Sequence, residues 1–233
     1  MAAEEDLPMS TPLLRPNFAP KVQAVLEHLY NDAMTTDLPM LEAAGEQGLD
    51  DSEPGFYEKM RGAYLPVLPD FGTLLYLVAR LSHARTIVEF GTSFGISTIF
   101  LAAALQDNGG GKVITTEFQS AKAEQAHRNI IAAGLDEWVE IRTGDALESL
   151  RTNLPERVDL LFLDGTKAHY LPICSLLAPR LVSGSVIASD NSEKESAAGY
   201  LAYIRDPANG FVGCSIQSSV LGYTNGHEIL MKR

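Results

Sequence analysis

The sequence predicts an α/β fold built on a mostly parallel sheet, and three observations carry that reading. Short β-branched runs recur from residue 86 onward, helical segments separate them, and the chain closes with two further strand-like runs joined by a turn. Strands that alternate with helices make right-handed βαβ crossovers, which lay the strands parallel and cover both sheet faces.

The elements follow in order. Residues 1–18 are rich in proline and acid without any period and read as a loose arm. From Pro20, which suits a first helical turn, Val22, Val25, Leu26, Leu29 and Tyr30 fall on one helical face. Between Thr35 and Gly55 this pattern fades into acid and glycine; a further helix is expected over 71–83, where Leu74, Leu75, Val78 and Leu81 share a face. The β-branched runs are 86–90, 112–116, 139–142, 158–163 and 185–188, with helices expected over 96–105, 120–133 (closed by Gly134), 147–154 and 170–177. After a helix over 197–205, residues 211–220 and 228–232 read as an antiparallel hairpin turning at Asn225-Gly226. The simplest organisation is one domain over 19–233, with N-terminal helices over 19–84 and the sheet core over 85–233.

Composition narrows the function classes. Against 30 Asp and Glu stand 18 Lys and Arg, a net charge of −12 over 233 residues. That balance argues against sequence-independent nucleic-acid binding, which needs clustered cations to neutralise phosphates, and against docking on anionic membrane. With 45% hydrophobic and 21% charged residues the chain is not globally disordered. Cys174 and Cys214 show no paired spacing and are expected in the core of a protein from a reducing compartment. The start lacks the basic and apolar regions of a secretory signal, and the apolar stretch Phe71 to Leu81 is too short to span a bilayer, so a cytoplasmic location is expected.

The residues able to do chemistry sit where strands end. Glu89-Phe90-Gly91-Thr92-Ser93-Phe94-Gly95-Ile96-Ser97 is a strand running through a glycine-punctuated turn into a helix. In doubly wound sheets ligands bind beyond the carboxyl ends of strands, where glycine lets them approach the backbone. The spacing is not GxGxxG, and Glu89 would repel a pyrophosphate, so a nicotinamide-dependent oxidoreductase is the weaker alternative. Glu117 ends the next strand and suits the two hydroxyls of a ribose. Gly144-Asp145-Ala146 ends the third. Asp164-Gly165-Thr166-Lys167 and Asp190-Asn191 end the fourth and fifth, so two carboxylates and an amide oxygen can converge. An all-oxygen set suits Mg²⁺, with Mn²⁺ or Ca²⁺ as substitutes, better than zinc. His127, His169 and His227 have no metal-binding spacing, and Glu193, Lys194 and Glu195 read as a solvated rim.

The order EFGTSFGIS, TEF, GDA, LFLDGTKAHY and ASDN resembles the class I S-adenosylmethionine-dependent O-methyltransferases, specifically the metal-dependent catechol and caffeoyl-CoA group, over about residues 65–233. The resemblance implies a Rossmann-like, doubly wound, seven-stranded sheet. It implies that Glu89, Gly91, Ser93 and Ser97 hold the methionine end and backbone side of the methyl donor. Glu117 would hold the ribose, Phe118 would pack on the adenine, and Asp145 and Ala146 would border the purine edge. Asp164, Asp190 and Asn191 would hold the metal. Lys167 would be the base that deprotonates a phenolic, catechol-like acceptor, because a lysine beside a dication is disfavoured in its charged form. A homodimer is a further implication.

Two departures concern the acceptor. Gly222 stands where catechol O-methyltransferases carry an acid, and Gly165-Thr166 replaces a bulky aromatic beside the lysine. Tyr64 to Pro69, stiffened by two prolines, is expected to wall the acceptor pocket. A donor-binding domain without catalysis is the third reading, and Lys167 with Asp190-Asn191 argues against it.

Overall fold

The computed structural model describes residues 18–49, 55–220 and 223–233. The loose-arm reading of residues 1–17 and the acceptor-side position of Gly222 lie outside them. Seven strands form one mixed sheet: β1 (Thr86–Phe90), β2 (Lys112–Glu117), β3 (Val139–Thr143), β4 (Leu160–Leu163), β5 (Val186–Ser189), β6 (Phe211–Val220) and β7 (Tyr223–Lys232). Their order is β3-β2-β1-β4-β5-β7-β6. The first five are parallel, and β7 pairs antiparallel with both β5 and β6.

The two-residue period of the strands divides the core. Ile87, Val113, Leu160, Phe162 and Ala188 face one layer of helices, α1 (Pro20–Gly45), α3 (Pro69–Leu81), α4 (Ile96–Asp107) and α5 (Ser120–Ala133). Val88, Phe90, Ile114, Leu161, Leu163 and Ile187 face the other, made by α6 (Ala146–Ser149), α7 (Tyr170–Leu177) and α8 (Ala198–Arg205). The helix α4 is buried on every side from Ile96 to Leu105, as an apolar helix without a polar face must be. Gly134, in the left-handed conformation at φ 73°, ends α5 as expected.

Four expectations need correction. The first helix does not fade at Thr35 but runs through Pro39 to Gly45, because its last turns pack Met40 and Ala44 against Phe56, Met60 and Ala63, beside the short helix α2 (Phe56–Lys59). The expected helix 147–154 is the single turn Ala146–Ser149; Asn153 adopts a left-handed φ of 56° just before Leu154-Pro155, which stops propagation. Asn225-Gly226 is not the hairpin turn: these residues lie within β7 opposite Ser218 and Gln217. Of the cysteines, Cys174 is buried but Cys214 lies exposed on β6. The first described residue, Phe18, packs edge-on against Tyr76 and Phe100. No helix among the described residues is long and apolar enough to cross a membrane.

Candidate active site

Strand order reverses between β1 and β4, and a crevice opens at the carboxyl ends of strands at such a switch point. The chain turns sharply there. Gly91 has φ 104°, and a Cβ on it would meet the Asp164 carbonyl oxygen at 2.7 Å, so only glycine lets the two strand ends approach this closely.

Glu89, at the end of β1, is fully buried. Thr98 Oγ1 donates to its Oε2 at 2.5 Å, while Oε1 is buried with no hydrogen-bond partner among the described residues. Burial pushes this carboxyl up, against the hydroxyls of Thr115, Thr98 and Ser97, and the charge of Glu117 adds to the rise. An orphaned, buried acceptor beside a glycine turn fits the ammonium of an amino-acid ligand. Glu117, at the end of β2, accepts from the Ser93 N–H at 2.8 Å and the Gln119 N–H at 2.9 Å, which aims its carboxylate across the same turn. Phe118 beside it is 78% exposed, an open apolar face next to the Glu117 carboxylate. Asp145 caps α6 by accepting from the Leu147 N–H at 2.8 Å, and Ala146 is buried.

The second cluster lies at the ends of β4 and β5. The Asp164 and Asp190 carboxyls lie within hydrogen-bonding reach of each other. Burial, and then the charge of Asp190, push Asp164 well above the usual carboxylate range, and Lys167 only partly opposes this. Two acids in contact at a largely buried site repel each other when both ionise, and a cation between them relieves that repulsion. Lys167 is 5% exposed; its Nζ lies 3.7 Å from Asp164 Oδ1, donates to the Gly165 carbonyl at 3.1 Å and sits 5.3 Å from the Tyr170 ring. Asn191 adopts φ 48° and donates from Nδ2 to Asp190 Oδ2 at 2.6 Å. Tyr170 donates to the Asp190 carbonyl at 2.8 Å and fixes the loop from beneath. The donor set of Asp164, Asp190 and the Asn191 amide oxygen is hard and fits Mg²⁺, Mn²⁺ or Ca²⁺. Glu193, Lys194 and Glu195 are exposed, as a rim would be, and His169 is exposed too.

Sequence reasoning missed three site residues. His227 is buried on β7, and its Nδ1 meets Asp190 Oδ1 at 2.7 Å. Asp37 on α1 accepts from the Tyr64 N–H at 2.8 Å and the Leu65 N–H at 2.7 Å, pinning the wall segment where Leu65 takes a left-handed φ of 47°. Lys122 on α5 donates to the Ala63 carbonyl at 2.8 Å and to Ser93 Oγ at 3.2 Å, while Ser93 Oγ donates to the Tyr64 carbonyl at 2.7 Å. These contacts weld the wall to the glycine turn. A buried lysine three turns before a C-cap glycine carries no local signal, and His227 and Asp37 gain their roles only through pairing across the fold.

Residues 88–192 match the family model described as "Methyltransferase domain". The chain is 37% identical over 130 residues to a catechol O-methyltransferase of Niastella koreensis, covering 54% of this chain and 58% of that one, so it spans less than two thirds of that relative's length. It is 30% identical over 180 residues to a Mycobacterium tuberculosis protein named a probable O-methyltransferase, covering 71% of this chain and 75% of that one. Among solved structures, an O-methyltransferase from Bacillus cereus in complex with SAH superposes with TM-score 0.66 and 26% identity, over 90% of this chain and 91% of the other. The strand order, the acids at the strand ends and these likenesses agree: the chain belongs to the class I S-adenosylmethionine-dependent O-methyltransferases of the catechol and caffeoyl-CoA type.

Proposed function

We propose that this protein transfers the methyl group of S-adenosylmethionine to one hydroxyl of a vicinal dihydroxy-aryl small molecule, and that the transfer depends on a divalent cation. The observation that carries the reading is the contact of part-buried Asp164 with buried Asp190, with Lys167 beside them, across the crevice from Glu89 and Glu117.

The donor is a sulfonium with an amino-acid end and a ribose but no phosphate, which suits a pocket lined by carboxylates and glycine. Glu89 receives the amino end through its unpartnered Oε1, Gly91 lets the chain approach it, and Ser97 stands in the first turn of α4 behind it. Glu117, oriented by two backbone N–H groups, receives the ribose, and Phe118 and Ala146 border the base. Asp164, Asp190 and the Asn191 amide oxygen would hold the cation, which supplies charge neutralisation for the acid pair and acidifies a phenolic hydroxyl. Lys167 takes the proton from that hydroxyl at Nζ, held within reach by burial and by the Gly165 carbonyl. Gly165 packs directly on the Phe90 ring, which a Cβ there would meet at 2.5 Å. Tyr64 to Pro69, tied down by Asp37 and Ser93, walls the opposite side and excludes water. Much of the acceleration then comes from holding two reactants at attack distance.

The test is turnover of a panel of catechols by the purified chain with S-adenosylmethionine, with Mg²⁺ and with EDTA. Methylated product that disappears with chelator and returns with Mg²⁺ is expected. Undiminished turnover in EDTA would remove the cation. Donor binding without methylation of any dihydroxy-aryl compound would overturn the acceptor class.

A further inference from the structure

The buried His227 has no part in the reading above, and its surroundings are unusually specific. One step beyond the β5–β7 pair Ser189↔Glu228, the antiparallel register brings His227 opposite Asp190. The ring is 1% exposed and lies flat on Phe71 of α3, with centroids 3.7 Å apart and planes at 10°. Its Nδ1 is 2.7 Å from Asp190 Oδ1, and its Nε2 is 2.5 Å from Ser218 Oγ on β6. Asp190 Oδ1 and His227 Nδ1 have each other and no further hydrogen-bond partner among the described residues.

The neighbouring loop is fixed to the same stretch of β7. The Ser192 N–H donates to the Gly226 carbonyl at 3.0 Å, and the Gly226 N–H donates to Glu193 Oε2 at 3.1 Å. Asp190 is therefore gripped from two sides: its Oδ1 by the histidine, its Oδ2 by the Asn191 amide.

We infer that His227 is the positioning residue of Asp190: through Nδ1 it occupies one carboxylate oxygen and so leaves Oδ2 as the oxygen presented to the cation, while the Ser218 hydroxyl meets Nε2 and holds the ring in place. This deepens the proposed metal-dependent reading and rests on it. An apolar side chain of the same breadth could stack on Phe71 equally well, but it would leave Asp190 Oδ1 buried and unpartnered, free to turn toward Asp164. Partners that orient a metal ligand from behind in this manner commonly govern affinity by ten- to a hundredfold. The arrangement also gives the β6–β7 hairpin a direct hold on the metal site, through a residue whose spacing in sequence carries no metal signature.

The experiment is titration of the full chain with Mn²⁺ alone, followed by calorimetry and by the electron paramagnetic resonance of the free ion, so that no turnover is needed. Wild type is compared with His227→Leu, His227→Asn and His227→Gln. The Asn amide nitrogen replaces Nδ1, whereas the Gln amide nitrogen reaches toward the place of Nε2. Mn²⁺ affinity is expected to fall about ten- to a hundredfold in His227→Leu and His227→Gln and to stay close to wild type in His227→Asn. S-adenosylhomocysteine affinity, measured on the same samples, should not move. If His227→Leu does not fold, the Asn and Gln variants, both polar and of graded length, decide alone. Equal affinities across the variants, or equal losses in Asn and Gln, overturn the inference. A wild-type chain that binds no Mn²⁺ overturns the metal reading itself and the inference with it, and that outcome is visible before any variant is made.

Discussion

The two ends of β4 carry two carboxylates that the chain treats in opposite ways. At the amino end, Asp159 Oδ2 accepts from the Arg85 N–H at 2.8 Å and the Thr86 N–H at 2.9 Å, and Oδ1 accepts from Arg157 Nε at 2.5 Å. Burial alone would raise this carboxyl, but those donors outweigh it and hold it below the ordinary range. At the carboxyl end, Asp164 has a lysine at 3.7 Å and another acid against it, and burial with that neighbour drives it far up. Asp159 is satisfied by the fold, which is what a structural acid looks like. Asp164 is left short of positive charge, a pattern that clusters at functional sites.

The largest effect should come from breaking the unsatisfied end. If the proposed cation is bound there, Asp164→Asn is expected to lower the rate of methyl transfer by about a thousandfold or more, since several kcal/mol of the stabilisation it would supply is lost and each 1.4 kcal/mol is tenfold. Its stability in EDTA should be no lower than that of wild type, because the substitution relieves repulsion with Asp190. Steady-state kinetics with a catechol and denaturation in chelator check both halves. Lys167→Met comes next, with a loss of about a hundred- to ten-thousandfold in kcat and little change in donor affinity, the pattern of a lost proton acceptor. A variant that lost donor binding instead would place Lys167 in the donor pocket.

The opposite result is expected at the satisfied end. Asp159→Ala leaves two backbone N–H groups and a guanidinium without their acceptor and should cost about 2–3 kcal/mol of folding stability. Activity per folded molecule should stay at the wild-type value. Urea denaturation with active-site titration separates the two quantities. Equal stability losses at Asp159 and Asp164 would dissolve the distinction between the two ends.

This distinction explains which parts of the molecule are legible in the sequence. The five parallel strands follow from β-branched runs, and α5 stops at Gly134 because a left-handed glycine ends a helix locally. Glu89, Glu117, Asp164 and Asp190 are legible for a related reason: each ends a strand, so element and position are read together. Asn225-Gly226 is a strong local turn signal, yet it lies in register opposite Gln217 and Ser218, since the long pairing of β6 with β7 outweighs two residues' preference. The stretch after Thr35 reads as a fading helix, but packing of Met40 and Ala44 on Phe56, Met60 and Ala63 carries α1 on to Gly45. His227 and Lys122 are the harder cases. Their roles arise from a strand pairing and a helix docking that join residues far apart in the chain, and no local pattern encodes either.

Asp37 sharpens the comparison because it lies between the two types. Like Asp159 it accepts from backbone N–H groups, those of Tyr64 and Leu65, but among the described residues it forms no ion pair, and burial pushes its carboxyl up despite those bonds and the nearby Lys122. The two acids should therefore tilt stability in opposite directions with pH. A carboxyl raised in the folded state contributes its full stability below the unfolded value of about 4 and loses it as pH rises through the folded value. A depressed one contributes above about 4 and loses its share as pH falls through the folded value. Asp37→Asn, which can still accept one of the two N–H groups, should cost about 1 kcal/mol near pH 4, and the gap to wild type should shrink as pH rises toward 8. For Asp159→Asn, over a window extended down to about pH 3, the gap should widen as pH rises to about 4 and then stay constant. Paired denaturation curves across that window read the two slopes directly, and slopes of the same sign would mean that burial, not the donors around each acid, decides both.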